Sequence, residues 1–246
     1  MIVALTVIVI ASILIALLRH VASRLIYPAP PASQPWGALV LQRPDVTLRS
    51  WITHPDAQDA WIVFGGNALA FPPVAEAWRD CTGRALYLMP YRGYEGQAGH
   101  PSEKALVADG VALVQLAQKT HRYVGIIGIS LATGVATQVA AQVRTDKLLL
   151  ITPYDRLDLV AHDHFPYLPT RWLMRDTYDS ASAAKLSDGV PVALLQTDDD
   201  VIIFTARTQA RAAAFPAKPT VWRHIAATHN GVWDHPELCR FVRDGG

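Results

Sequence analysis

Short apolar segments alternate with helical patterns along most of the chain. The segments with strand character are 38–41, 46–53, 60–64, 85–89, 123–129, 148–151, 192–195 and 220–224. The helical patterns occupy 72–80, 102–119, 131–143, 204–214 and 233–242. Apolar strands that alternate with helices predict an α/β fold in which helices cover both faces of a mostly parallel sheet.

The composition allows a large buried core. The 246 residues are 51% hydrophobic and 17% charged, which excludes a disordered chain. The length suits one α/β domain or two small ones. Lysine and arginine number 22 against 21 acidic residues, and no basic stripe with interleaved aromatic residues occurs. We therefore expect no nucleic-acid partner.

The chain has two cysteines, Cys81 and Cys239, which are far apart and form no CxxC motif. This pattern excludes a disulfide-rich scaffold and a zinc-finger arrangement. Two ordinary buried thiols are the expectation, and a single bridge between the two residues is the alternative.

The N-terminal residues predict a membrane anchor at 1–22. Residues 2–18 include only Thr6 and Ser12 as polar side chains. A helix of that length measures about 26 Å at ~1.5 Å per residue, slightly less than a hydrocarbon core of ~30 Å. Residues up to 22 would extend it if Arg19 reached toward the headgroups. A cleaved signal peptide is the alternative, but such peptides usually begin with basic residues, and none precedes this run.

Basic residues on the C-terminal side of the apolar run suggest an orientation. By the positive-inside rule, Arg19 and Arg24 place the main domain on the cytoplasmic side of the membrane. Residues 23–37 carry four prolines and predict a stiff, extended linker. The remaining residues, 38–246, form the predicted α/β domain.

A small-residue segment after a predicted strand carries the first candidate for chemistry. In open α/β sheets, ligands bind at the carboxyl ends of the strands. The segment Gly-Ile-Ser-Leu-Ala at 128–132 stands where a strand ends and a helix begins. This is the context of the nucleophile elbow G-x-S-x-G, with Ala132 in place of the second glycine. Ser130 is therefore a candidate nucleophile, and a plain helix N-cap is the alternative.

A serine nucleophile needs a base, and the base needs an acid that orients it. Three acids, Asp198, Asp199 and Asp200, directly follow an apolar strand, and His229 follows the next strand. The chain order serine, acid, histidine is the order expected for an elbow of this kind. The alternatives are a solvated turn for the aspartates and a structural role for the histidine.

Two main-chain N–H groups are candidates for an oxyanion hole. One belongs to Leu131, the residue after the nucleophile, and the other to Asn67, in the loop after an early strand. Gly65 and Gly66 would let the backbone approach a substrate closely there. An ordinary Gly-Gly turn is the alternative.

Substrate contacts are expected near these loops. Gly66 and Tyr154 follow predicted strands, and Phe165 and Trp172 belong to a segment at 152–189 that is too short for a large cap domain. Each of these side chains could instead be ordinary packing. The pair His162 and His164 has no third ligand nearby, so no metal is expected. Attack by a serine with a histidine base, completed by water, needs no cofactor, so none is expected.

Four stretches of the chain resemble the α/β-hydrolase superfamily, and within it the Bem46-like family of serine hydrolases. They are Phe-Gly-Gly-Asn-Ala at 64–68, Tyr-Arg-Gly-Tyr at 91–94 leading to Gly-His-Pro-Ser-Glu at 99–103, the elbow at 128–132, and the segment 165–176. The resemblance covers residues 38–243. It implies an α/β-hydrolase fold with a short cap, often preceded in this family by one membrane helix.

The resemblance also implies a catalytic triad of Ser130, Asp199 and His229. Asp199 is preferred over the two neighbouring aspartates because the family pattern is Asp-x-[Ile/Val]-[Ile/Val]-Pro, which the chain follows except that Ile203 replaces the proline.

The implied function is a membrane-anchored serine hydrolase that cleaves an ester, thioester or amide of a small or lipid-like acyl substrate. Gly65 stands where the family has histidine, and Ala132 where it has glycine. These departures motivate one alternative, a non-catalytic binding or scaffold protein at the membrane. The other is an acyltransferase or peptidase that uses the same triad. The sequence carries no signal for the oligomeric state.

Overall fold

The structure is a computed structural model that describes residues 2–32 and 39–246. Part of the predicted linker, residues 33–37, and the first residue of the predicted strand at 38–41 lie outside the described residues.

The described residues form one eight-stranded sheet in the order β1-β2-β4-β3-β5-β6-β7-β8. The strands are β1 (Leu39–Gln42), β2 (Thr47–Thr53), β3 (Asp59–Phe64), β4 (Ala85–Leu88), β5 (Tyr123–Ile129), β6 (Leu148–Ile151), β7 (Val192–Thr197) and β8 (Val221–Ile225). Strands β3 to β8 run parallel, whereas β2 pairs antiparallel with both β1 and β4. The prediction of a mostly parallel sheet is confirmed.

The helices follow the strands in the alternation that the sequence predicts. They are α1 (Ile2–Ile26), α2 (Phe71–Arg79), α3 (Glu103–Ala117), α4 (Ala132–Ala140), α5 (Leu157–His164), α6 (Thr170–Leu173), α7 (Ser180–Ala184), α8 (Thr205–Ala213) and α9 (Pro236–Asp244), with a 3₁₀ turn at Asn230–Asp234. Helix α3 begins at its predicted N-cap, where the Ser102 hydroxyl accepts a hydrogen bond from the Ala105 N–H at 3.3 Å. The three short helices α5 to α7, between β6 and β7, had no sequence prediction and form the short cap.

Two apolar clusters cover the two faces of the sheet. Successive residues of a strand point to opposite faces of the sheet. In β3, Ile62 and Phe64 therefore pack in one cluster, and Trp61 and Val63 pack in the other. The first cluster includes buried residues of α3 and α4, and the second includes those of α2 and α9. Burial on both faces explains why the central strands are apolar without alternation.

Helix α1 is long and apolar enough to cross a membrane over Ala4–Ile26, with a mean hydropathy of 2.3. It ends at Ile26, beyond the predicted boundary at residue 22, and so takes in the first part of the predicted linker. The next residue, Tyr27, is only 7% exposed and belongs to the core of the α/β domain. Helix α1 is therefore followed directly by a residue that packs in the core of the α/β domain.

The two cysteines form a disulfide, so the expectation of two free buried thiols is wrong. Cys81, just after α2, and Cys239, on α9, have Cα atoms 5.3 Å apart and are joined across 158 residues. Both helices pack on the same face of the sheet. Their packing brings the two cysteines together, which is the alternative that the sequence left open.

We expect loss of this disulfide to lower the free energy of unfolding by about 2–4 kcal/mol, because the bridge restricts the unfolded chain. The double substitution Cys81→Ala, Cys239→Ala and the wild-type protein under reducing conditions should show the same shift in a denaturant titration. An unchanged midpoint in both would contradict the expectation.

Candidate active site

Ser130 lies at a sharp turn between β5 and α4 rather than at a helix N-cap. Its φ is +50°, a left-handed conformation that is uncommon for a residue with a side chain. The residue at the N-cap position of α4 is Leu131, and no side chain caps the helix there. A Cβ on Gly128 would lie 2.6 Å from Ala136 Cβ, so the turn requires a glycine at that position. This is the strained strand–turn–helix geometry of a nucleophile elbow.

The Ser130 side chain begins a chain of hydrogen bonds. Its Oγ lies 2.9 Å from His229 Nε2, and His229 Nδ1 lies 2.8 Å from Asp200 Oδ2. His229 is 8% exposed, and the Asp200 side chain is 4% exposed. With Nδ1 donating to the carboxylate, Nε2 is left to accept the proton of the serine hydroxyl. The structure thus brings together Ser130 and His229, as the sequence predicts.

The acid that contacts His229 is Asp200, so the choice of Asp199 is wrong. Asp199 is exposed, and so is Asp198, which pairs with His224 Nδ1 at 3.0 Å. Asp200 turns inward because its Oδ1 accepts hydrogen bonds from the N–H groups of Ile202 and Ile203, at 2.9 and 2.8 Å. The hydroxyl of Thr197, the last residue of β7, also donates to Asp200 Oδ2 at 2.9 Å.

The environment of Asp200 keeps its carboxyl group ionised. Burial acts to raise the pKa, but the hydrogen bond and charge of His229 and the N–H groups of Ile203 and Ile202 outweigh it, so the pKa of Asp200 is lowered. A carboxylate that is ionised, buried and aligned with Nδ1 can hold the imidazole in one orientation and stabilise its protonated form.

The loop after β3 passes beside the nucleophile. A Cβ built on Gly66 would lie 3.3 Å from Ser130 Cβ, so a larger residue there would crowd the serine. Asn67 and Leu131 both line the cavity that contains Ser130. Both residues lie outside the helices and strands, and in the described part of the chain neither main-chain N–H donates to a backbone carbonyl. Both N–H groups are therefore available to a substrate oxygen.

Residues of the Tyr-Arg-Gly-Tyr segment hold this loop in place. The Tyr91 hydroxyl donates to the Gly65 carbonyl at 2.6 Å, and the buried Glu95 accepts a hydrogen bond from the Phe71 N–H at 2.9 Å. Arg92, in turn, pairs with Asp109 of α3 at 2.8 Å. The sequence marked this segment only by resemblance. Its role in positioning the loop depends on contacts between residues that are far apart in the chain.

An apolar cavity of about 330 Å³ adjoins Ser130. Its polar lining residues are Asn67, Ser130, Tyr154 and Thr170. The apolar ones are Leu18, Val21, Ala22, Leu25, Ile26, Leu131, Leu157, Val160, Ala161, Phe165, Leu168, Leu173, Met174, Ile202 and Ile203. The volume is near the lower end of the range for ligand pockets, about 300–1,000 Å³.

The structure separates the predicted substrate contacts into two groups. Tyr154 and Phe165 line the cavity, and the Tyr154 hydroxyl also donates to the Leu131 carbonyl at 2.9 Å. Gly66 and Trp172 do not line the cavity. Gly66 lies beside Ser130, as described above, whereas Trp172 lies on the surface. It is 79% exposed, and its carbonyl accepts a hydrogen bond from Arg19. The side chain of Trp172 points outward because α6 turns its Leu173 inward instead.

Among residues 2–32 and 39–246, no cluster of three or more histidine, cysteine, aspartate or glutamate side chains has the arrangement of a metal site. Of the pair His162 and His164, the second lies with its Nε2 2.8 Å from the Ile202 carbonyl.

Solved structures with the same fold are α/β hydrolases. The chain is similar to an esterase from Pyrococcus furiosus, with a TM-score of 0.65 and 15% identity over 87% of this chain and 94% of that one. A serine hydrolase homologue from Coxiella burnetii has a TM-score of 0.64 and 15% identity over 87% and 99% of the two chains. Est1E from Butyrivibrio proteoclasticus, solved with ferulic acid, has a TM-score of 0.67 and 14% identity over 85% and 97%. The predicted α/β-hydrolase fold is confirmed.

Sequence comparison finds relatives in Mycobacterium tuberculosis. An uncharacterized protein from each of two strains is 31% identical over 160 residues, which are 63% of this chain and 55% of the relative. The chain thus matches about half the length of these relatives. No protein-family model matches the chain. Membership of the Bem46-like family stays a prediction.

The lowered pKa of Asp200 predicts how stability depends on pH. The folded state releases this proton more readily than the unfolded state, so the contribution of Asp200 is complete above the unfolded pKa of about 3.9. It is lost as the pH falls through the lowered folded pKa. We therefore expect Asp200→Asn to destabilise the protein at neutral pH and to flatten this acidic decline. Denaturant titrations at a series of pH values measure the free energy of unfolding of each variant. The exposed Asp199→Asn is the control. Identical profiles for the two variants would contradict the expectation.

Proposed function

We propose that the protein is a membrane-anchored serine hydrolase that cleaves esters, thioesters or amides of apolar acyl groups through an acyl-enzyme. One observation carries the proposal: a serine in the left-handed conformation at the end of β5 lies 2.9 Å from His229, which in turn lies 2.8 Å from the buried Asp200. A serine that only packs or caps a helix needs neither the strained turn nor a histidine oriented by a carboxylate.

In the first half of the reaction, the Ser130 Oγ attacks the acyl carbonyl carbon. The Oγ–carbon bond forms while the hydroxyl proton moves to His229 Nε2, and the carbonyl π electrons move onto oxygen. The N–H groups of Asn67 and Leu131 donate to this oxyanion. When the tetrahedral intermediate collapses, the bond to the leaving group breaks, and the leaving group takes the proton from Nε2.

In the second half, water repeats the same sequence on the acyl-enzyme. His229 Nε2 takes a proton from water, the hydroxide oxygen bonds to the acyl carbon, and the bond to Ser130 Oγ breaks as Oγ takes the proton back. The products are a carboxylic acid and the regenerated serine. Asp200 remains ionised and holds the imidazole throughout. Each transfer uses only groups of this chain and water.

The apolar lining of the cavity supports an acyl group as the part of the substrate that is recognised. Of its polar lining residues, Tyr154 and Thr170 already donate their hydroxyl protons to carbonyls of the protein, and the rest of the lining apart from Asn67 and Ser130 is apolar. A hydrocarbon chain makes no demand for hydrogen bonds there, whereas a sugar or peptide would leave polar groups unpaired. The natural leaving group has no comparable contact in the structure.

The disulfide favours a location of the α/β domain on an oxidising side of the membrane. Disulfides persist in such compartments and are rare in the reducing cytoplasm. The predicted cytoplasmic orientation depends on Arg19 and Arg24, but Arg19 has a local structural role, since it donates to the Trp172 carbonyl at 3.2 Å. We therefore place the domain outside the cytoplasm, with α1 as its anchor.

Labelling with a fluorophosphonate probe tests the proposed nucleophile. We expect the intact protein to be labelled and Ser130→Ala and His229→Ala to lose the label, because Oγ is then absent or is no longer deprotonated. Asp200→Asn should reduce ester turnover by about 10⁴-fold through loss of imidazole orientation.

The matched control is Asp199→Asn, one residue away and exposed, which we expect to stay within about twofold of wild type. If Asp199→Asn reduced ester turnover more than Asp200→Asn did, the assignment of Asp200 would be contradicted. An intact, folded protein that takes no label would overturn the proposed hydrolase and favour the binding or scaffold alternative.

The state of the two cysteines in cells tests the proposed orientation. We expect acid-quenched cells to yield protein that reacts with a maleimide-polyethylene glycol reagent only after reduction, because Cys81 and Cys239 are paired. The Cys81→Ala variant, with its single free thiol, is the positive control for reactivity. Addition of two reagent molecules without reduction would favour the cytoplasmic orientation.

A further inference from the structure

We propose that α1 is both the membrane anchor and one wall of the acyl-binding cavity, so that the acyl chain of a bilayer lipid ester enters the site sideways along α1. This inference rests on the proposed hydrolase function and specifies its substrate class and the source of that substrate.

One face of the C-terminal part of α1 lines the cavity. The lining residues on that face are Leu18, Val21, Ala22, Leu25 and Ile26. Their spacing of three and four residues places them on a single stripe of the helix. The opposite wall comes from α5 and the segments that follow it, including Leu157, Val160 and Phe165, and Ser130 lies in the same cavity. Without α1, the cavity would be open along this whole side.

Polar contacts at its C-terminal end fix α1 to the domain. The Tyr27 hydroxyl lies 2.8 Å from Asp176 Oδ2 and 2.7 Å from the Tyr178 hydroxyl, and all of Tyr27 is nearly buried. Burial, together with the nearby charge of Asp176, raises the pKa of Tyr27, so its hydroxyl keeps its proton. Arg19 adds its hydrogen bond to the Trp172 carbonyl of α6. The wall is therefore part of the folded domain rather than a helix on a free tether.

The N-terminal part of α1 does not pack on the domain. The cavity begins where this exposed part of the helix ends. Apolar side chains from Leu5 to Leu17 are exposed, several by more than half. Residues 2–18 span about 26 Å, close to the ~30 Å of a hydrocarbon core. If this part of α1 is in the bilayer, the stripe that begins at Leu18 lies near the membrane surface, and the cavity opens at that depth.

The mouth of the cavity is apolar as well. Phe165, Leu168 and Ile202 line the cavity and are also 54%, 46% and 41% exposed. Large apolar side chains that are exposed together beside an exposed apolar helix mark a surface that interacts with a membrane or a partner. Here the exposed apolar surface at the cavity mouth is continuous with α1, which would extend into the bilayer. We therefore propose that a membrane lipid, rather than a protein, binds in the cavity.

These four observations define the substrate as an ester with a single apolar acyl chain that is already dissolved in the bilayer. Its carbonyl would reach Ser130 while its tail remained against the stripe of α1. The alternative source is an acyl ester that reaches the site from water. Both sources share the same acyl chemistry, and a kinetic experiment separates them.

The first experiment narrows the cavity from the side of α1. The full-length protein is reconstituted in phosphatidylcholine vesicles, and the ratio of kcat/KM for octanoyl and acetyl p-nitrophenyl esters is measured. We expect Leu18→Trp to lower this ratio by about tenfold, a change typical of altered room for one or two methylene groups. The adjacent Leu17→Trp, on a face of α1 that does not line the cavity, should keep the wild-type ratio. Leu18→Ala, which enlarges the cavity, should shift the preference toward longer acyl chains. Equal ratios for all four proteins would overturn the proposal.

The second experiment identifies the source of the substrate. A long-chain acyl ester is presented in vesicles at a fixed bulk concentration while inert phosphatidylcholine is added to dilute it in the membrane. If the chain enters from the bilayer, turnover falls in proportion to the surface fraction of ester. A rate that follows only the bulk concentration would overturn the bilayer route. Fluorophosphonate labelling of the same samples keeps the two proposals distinct, because a labelled protein that fails both kinetic tests retains the hydrolase function and loses only the role of α1.

Discussion

The left-handed turn at Ser130 is the constraint on which the rest of the site depends. The turn exposes the serine at the carboxyl edge of the sheet, and it exists only because its surroundings hold it there. The Ser130 N–H donates to the Ile151 carbonyl of β6 at 2.9 Å, and Tyr154 holds the next carbonyl, that of Leu131. Gly128 lets α4 pack directly against β5, since a Cβ there would lie 2.6 Å from Ala136 Cβ. Gly134 leaves room for Tyr154, whose hydroxyl would lie 2.5 Å from a Cβ at that position. The packing of the central strands thus stabilises a conformation that costs free energy locally.

The other members of the site come to the serine through the parallel sheet. Strands β3, β7 and β8 end at the same edge as β5, and the loops that follow them carry Asn67, Asp200 and His229. Further hydrogen bonds hold these loops in position beside the turn at Ser130. Tyr91 and Glu95 hold the loop after β3, and the N–H groups of Ile202 and Ile203 hold Asp200. In a chain with this fold that is proposed to act on acyl groups, such positioning matters because a donor or base that is displaced by about 1 Å can lose much of its effect.

In the proposed arrangement, the N-terminal helix would connect this site to a membrane in a way that separate anchor and enzyme modules could not. A helix joined through a free linker would leave the cavity the same whether or not the protein was anchored. Here the buried Tyr27 and the Arg19 contact make the end of α1 a fixed part of the domain, and its apolar stripe completes the cavity. The same residues that make α1 apolar enough for a bilayer therefore also shape the proposed acyl site.

The sequence by itself determined the α/β architecture, the sharp turn at Ser130, the approach of His229 to that serine and the apolar N-terminal helix. It could do so because burial on both sheet faces leaves continuous apolar strands, and because parallel strands bring their carboxyl ends to one edge whatever lies between them. Only the tertiary structure decided which of three consecutive aspartates faces His229, since that contact joins residues 29 positions apart, in the loops after β7 and β8. It also decided that Cys81 pairs with Cys239, that Trp172 points outward while Phe165 lines the cavity, and that Tyr27 fixes α1 to the domain. Each of these outcomes depends on distances between residues that are far apart in the chain, and such distances follow from how helices pack on the sheet rather than from any local pattern.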